Sequence, residues 1–164
     1  MALRRERTNG ASGGTNTAAI MAGGYSFSPG VYRNNTETWN GSNWTEVNDL
    51  NTARNSLAAT GNADFGYFGG GRNPVVSIVN RIDYSNDTAT SVTKGPLSVA
   101  RDKLAATGNA DFGYFGGGAA SGPTAKTTVD RIDYANDTGT TPTKGPLSAV
   151  KYALAASSSR ANAI

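Results

Sequence analysis

Residues 57–71 read LAATGNADFGYFGGG, and residues 104–118 read the same fifteen letters again. The offset is 47 (104 less 57). An identical string of this length points to an architecture of repeated units, each folding alike and packing on its neighbours. Arg81-Ile82-Asp83-Tyr84 returns as Arg131-Ile132-Asp133-Tyr134, and Lys94-Gly95-Pro96-Leu97-Ser98 as Lys144-Gly145-Pro146-Leu147-Ser148, both at an offset of 50 (131 less 81). The intervening loop therefore changes length, with AASGPTAKTTVD standing where RNPVVSIVN stood. A weaker copy lies in front, Arg7 to Gly24 aligning with Arg54 to Gly71. In that frame Glu37-Thr38-Trp39 takes the place of Ile82-Asp83-Tyr84. Leu154-Ala155-Ala156-Ser157 repeats the opening of the unit once more. The expected organisation is one domain over 1–164, with units at about 7–53, 54–100 and 101–150 and a partial strand in 151–164.

Within one unit the signals are those of strands and turns. Ser56 to Thr60 is a short small-residue strand, ended by Gly61-Asn62, a dipeptide suited to positive φ. Phe65 to Gly69 reads as a second strand with aromatics on both faces. Val79 to Tyr84 alternates apolar and polar, the period of a half-buried strand. Ser85-Asn86-Asp87 makes a turn, and the β-branched Thr88 to Thr93 reads as a fourth strand before Gly95-Pro96 breaks it. In the first unit Asn40-Gly41 marks a hairpin at the corresponding point. Only Ala149 to Ala156 hints at helix, and the repeat frame outweighs it. Apolar residues make up just 37% of the 164, and 21 are glycine, so the core must be thin and built from short strands. Four antiparallel strands per unit of this period is the size of one β-propeller blade.

These residues resemble the kelch motif. Gly23-Gly24, Gly69-Gly70 and Gly116-Gly117 stand as its glycine pairs, Trp39, Tyr84 and Tyr134 as its aromatic, and Trp44 as its tryptophan. The later units depart from it, with Ala89 and Gly139 at the tryptophan position. The strings TETWNGSNWTEVNDLNTAR, NADFGYFGGG and RIDYSNDTAT are similar to kelch-like proteins of marine bacteriophages, including those of cyanobacteria. That resemblance implies an all-β protein of kelch-like blades, three four-stranded blades plus one extra strand. It implies a virion-associated role in a tail, fibre or capsid decoration, located on the virion or outside the cell.

Composition bears on chemistry. The chain has no cysteine and no histidine, which removes disulfides, thiolate metal sites and the commonest general base. No cofactor or metal is expected. Galactose oxidase also carries kelch-like blades, but its copper chemistry needs the two residue types missing here. Asp83 and Asp133 are one frame position in two units, not an acid pair, and no enzyme is expected. The net charge of +3 comes largely from Arg4, Arg5 and Arg7, a solvated tail rather than a nucleic-acid surface. The start Met1-Ala-Leu-Arg-Arg-Glu-Arg has no signal-peptide pattern, and no apolar run is long enough for a membrane span.

Two sets of residues stand out as candidate contacts. Arg7, Arg54, Arg101 and Lys151 recur in frame. They suit a structural ion pair between units, with Asp64 and Asp111 as acids, better than a basic ring for an anionic ligand. Tyr25, Phe27, Tyr32, Trp39 and Trp44 make the first unit aromatic-rich and suit either packing or stacking on sugar rings. The loops 25–35, 72–80 and 119–130 vary while the strands repeat, as binding loops do.

The function expected is a non-enzymatic structural or binding module that touches other virion proteins or a host surface glycan. The alternative is a free-standing carbohydrate-binding, lectin-like propeller. Three blades leave two open ends, so a homodimeric six-bladed ring is expected, locked by the strand Leu154 to Ser158. Tyr67→Ala and Tyr114→Ala, the same frame position in two units, are expected to destabilise by comparable amounts, on the order of 3 kcal/mol.

Overall fold

A computed structural model describes residues 6–14, 18–88, 90–121 and 124–157. It is all-β, with no helix among the described residues and antiparallel strand pairing throughout. The first unit holds β1 (Ala11–Gly14) and β2 (Ala19–Ala22), then a small hairpin of β3 (Tyr25–Ser26) and β4 (Val31–Tyr32), then β5 (Thr36–Trp39) and β6 (Trp44–Glu46). The second unit holds β7 (Ala58–Gly61), β8 (Phe65–Gly69), β9 (Val79–Asp83) and β10 (Val92–Lys94). The third holds β11 (Ala105–Gly108), β12 (Phe112–Gly116), β13 (Val129–Asp133) and β14 (Thr143–Lys144). Each unit is a four-stranded meander, ordered β1-β2-β5-β6, β7-β8-β9-β10 and β11-β12-β13-β14. Register repeats with the letters: Tyr67 faces Arg81 as Tyr114 faces Arg131.

Several sequence expectations need correction, beginning with the first strand of the second unit, which is Ala58–Gly61 rather than Ser56 to Thr60. The fourth strand of the second unit is Val92–Lys94 rather than Thr88 to Thr93. The turn before it folds onto the first unit instead, where Asn48 N–H donates to Asp87 O (2.7 Å) and Ser91 N–H to Asp49 O (3.1 Å). In the first unit Trp39 pairs with Ala19, the place that Ile82 holds opposite Gly66, so Glu37 corresponds to Asn80 and Asp130 rather than to Ile82. Residues 154–157 form no strand, and Ser158 lies outside the described residues. The sequence carries no third FGYFG string to pair with them as β8 pairs β7.

Consecutive units are joined by a backbone staircase. Ser56 N–H donates to Asn9 O (2.7 Å), Lys103 N–H to Ser56 O (2.8 Å) and Ala153 N–H to Lys103 O (2.8 Å). All four residues sit in the left-handed region, at φ 55°, 55°, 53° and 55° along the chain. A second stitch follows the glycine pairs: Gly24, Gly71 and Gly118 donate to the carbonyls of Arg54, Arg101 and Lys151. The equivalent pairs are thus Gly23-Gly24, Gly70-Gly71 and Gly117-Gly118, all at positive φ, one residue later than the motif places them in the second and third units. A Cβ on Gly70 would meet the Arg101 carbonyl, so glycine here is what lets the next unit cross so closely.

The core lies between units. Phe68, Ile82 and Leu57 bury against Ala11, Ile20, Ala22 and Leu50 of the first unit. Phe115, Ile132, Leu104 and Tyr134 bury against Ala58, Tyr67, Val79 and Leu97 of the second. The strand packing runs from the first unit to the second and from the second to the third, and the described residues close no ring.

Candidate functional site

The recurring arginines are structural. Arg54 and Arg101 are fully buried at the seam where one unit passes to the next. Arg101 donates to Phe115 O (2.9 Å) and pairs with Asp130 (2.7 Å), and Arg7 pairs with the buried Glu37. The register puts Asn80 at that position for Arg54, which donates instead to the carbonyls of Gly70 (2.8 Å) and Phe68 (3.1 Å). Burial lowers the Arg54 pKa to about 10. Lys151 is exposed. Asp64 and Asp111 are exposed and pair with none of these arginines. They lie in the turn between first and second strands, at the end of the meander opposite the seam. Asp83 and Asp133 each cap their own turn, accepting from Ser85 N–H (2.9 Å) and Ala135 N–H (3.0 Å). Arg4 and Arg5 lie outside the described residues.

The five aromatics divide into two groups. Tyr25 packs on Phe27 (centroids 5.2 Å) and Tyr32 (5.0 Å) at the β3–β4 hairpin, and Phe27 is 77% exposed. Trp39 packs on Trp44 (5.6 Å) at the β5–β6 turn. In a meander, the connection between second and third strands leaves the end opposite the connection between third and fourth. One ligand subsite cannot use all five.

The turns of the second and third units reach back onto the preceding sheet, and what they meet differs. Asp137 accepts hydrogen bonds from Tyr67 Oη (2.8 Å) and Arg81 Nη1 (2.9 Å) and pairs with Lys94 Nζ (3.0 Å). Its own burial works to raise its pKa, but the bonds from Lys94 and Tyr67 and the charges of Arg81 and Lys94 hold it below the ordinary value. Asp87 is the same frame position one unit earlier. In the first unit the register supplies Ile20 and Thr38 where Tyr67 and Arg81 stand. The lock is missing there, and a cavity of about 380 Å³ opens in its place. Its lining includes Thr38, Trp39, Asn62, Tyr84 and Asp87. Burial raises the Tyr84 pKa to about 12, so its hydroxyl stays protonated and can donate.

An indole, a phenol, a carboxylate and a carboxamide around one depression can hold a polyhydroxylated ring. The aromatics cover its C–H face while the polar groups exchange hydrogen bonds with its hydroxyls. Sequence reasoning found Trp39 but missed Asn62, Tyr84 and Asp87. The available signal was the break in repeat at Ile20 and Thr38. No protein-family model matches the chain, and no curated protein matches it.

Proposed function

We propose that the chain is a non-enzymatic binding module of kelch-like β-propeller blades, carried on a phage particle as a tail, fibre or capsid-decoration protein, which contacts glycan through the cavity between its first two blades. Three meanders with a common register, stitched in series by glycine pairs, support the blade reading. The observation that carries the binding reading is the cavity beside Trp39, Tyr84 and Asp87, at the interface where the repeat is broken. A residue kept in every unit serves the unit; a site departs from the symmetry. The placement on a particle rests on the resemblance of the repeat strings to phage kelch-like proteins. No helix among the described residues is long and apolar enough to cross a membrane.

A glycan array with the intact chain tests the binding reading. Retention of neutral or amino sugars is expected, lost in Trp39→Ala and in Asp87→Ala while thermal unfolding stays cooperative. Binding that survives both substitutions contradicts it. The lectin alternative uses the same cavity, and mass spectrometry of purified particles separates the two: the chain belongs among particle proteins on the first reading and is absent on the second.

A further inference from the structure

The second unit shows how one unit receives the next. Phe115 of the third unit fills a notch at Gly69, where a Cβ would come within 2.6 Å of the ring. Tyr134 stacks on Tyr67 (4.9 Å, 17°) and hydrogen-bonds Thr60 Oγ1 (2.9 Å). Asp137 takes the Tyr67, Arg81 and Lys94 donors, and its carbonyl accepts from Gly95 N–H (2.8 Å).

The third unit carries the same receiving groups in the same register: Thr107, Tyr114, Gly116, Arg131, Lys144 and Gly145. None is met. Tyr114, Thr107 and Arg131 are partly exposed, and Lys144 is exposed. Among the described residues, the nearest atom to a Cβ on Gly116 is Val129 Cγ2 at 3.8 Å, and nothing lies within 4 Å of one on Gly145. Among the described residues no carboxylate pairs with Arg131 or Lys144. A cavity of about 360 Å³ lies on this face, bordered by Tyr114 and Gly116 and by the start of the fourth repeat at Leu154.

We propose that this face is a docking surface for a further β-sheet unit, one presenting an acidic turn to Arg131 and Lys144 with a phenylalanine and a tyrosine beside it. The charge demand is specific: two cations and a phenol converge where one carboxylate satisfied all three in the second unit. A second copy of this chain does not meet it. Its first unit has Met21 in the place of Phe68 and Phe115, and its Asn40–Asn43 turn offers no carboxylate. The inference rests on the repeat geometry and not on the glycan reading, so either can fail alone.

The test reads amine acetylation of Lys144 and Lys94 by mass spectrometry. In the unmodified chain Lys144 is expected to react at least tenfold faster than Lys94, in a monomer by analytical ultracentrifugation. A chain with residues 101–150 duplicated after Val150 is expected to protect Lys144 to the level of Lys94. Changing the duplicate's counterpart of Asp137 to Asn restores the reactivity. A synthetic hairpin covering residues 129–144, added in trans, avoids any folding fault in the fusion. It is expected to slow Lys144, and its Asp137→Asn form is not. Lys144 that stays reactive with both fusion and hairpin overturns the proposal. So does an unmodified chain that dimerises with Lys144 already protected, which would make the second copy the occupant.

Discussion

The second and third units share fifteen consecutive letters, and those letters live in different surroundings. Tyr67 is buried, stacked and hydrogen-bonded to Asp137, whereas Tyr114 is partly exposed. Gly69 lies against the Phe115 ring, whereas a Cβ on Gly116 would make only an ordinary contact with Val129. Sequence identity fixes strand register and turn chemistry, which are local. Burial is decided by the neighbour, which the same letters cannot specify.

The largest contrast is expected at the tyrosines. Tyr67→Ala removes a buried ring, its stack and a charge-assisted bond, and is expected to cost about 4 kcal/mol in urea unfolding. Tyr114→Ala is expected to cost about 1 kcal/mol, since only a half-buried ring is lost. Equal losses would break the comparison, and they are what the shared frame position alone predicts.

The buried arginines sharpen it from the other side. Asp130→Asn strands Arg101 without its carboxylate and is expected to cost about 3 kcal/mol. Asn80→Asp gives Arg54 the partner it lacks and is expected to raise stability by about 1 kcal/mol. Both Asn80 side-chain polar atoms are buried without a hydrogen-bond partner. A destabilising Asn80→Asp would show that Arg54 is already satisfied by its carbonyls.

At the glycines, Gly69→Ala forces the Phe115 ring aside and is expected to cost about 2 kcal/mol. Gly116→Ala is expected to change stability by less than about 0.5 kcal/mol, as at an open surface position.

The smallest effect concerns pH. The folded-state pKa of Asp137 lies below its unfolded value of 3.8. Its contribution is therefore present above that value and lost as pH falls through the lower, folded one. Wild type is expected to lose more stability than Asp137→Asn as pH falls below about 4, and to match its pH dependence between pH 5 and 7. A variant with the same acid-limb slope as wild type would remove Asp137 from the lock.

Much of this fold was legible. The exact repeat gave the period, and β8 occupies Phe65–Gly69 as the letters suggested. Arg54 and Arg101 are buried, but the expected ion pair between units is absent: Arg101 pairs with Asp130 of its own unit, and Arg54 donates to the carbonyls of Gly70 and Phe68. Asp64 and Asp111 repeat at the same offset, and shared periodicity is not proximity. The first unit was misregistered because an aromatic was matched to an aromatic, Trp39 to Tyr84, while the cross-strand partner Ala19 sets Trp39 with Ile82. The candidate cavity was invisible because its acid comes from one unit and its tryptophan from another. Only three-dimensional packing brings residues 39 and 87 together.

The central claim is that the second unit is locked by the side chains of the third. A double-mutant cycle on Gly69→Ala and Phe115→Ala tests it most directly. Because the methyl group and the ring compete for one space, Gly69→Ala is expected to cost about 2 kcal/mol in the wild-type background and close to nothing once the ring is gone. A coupling near zero, with Gly69→Ala equally costly in both backgrounds, would contradict the lock.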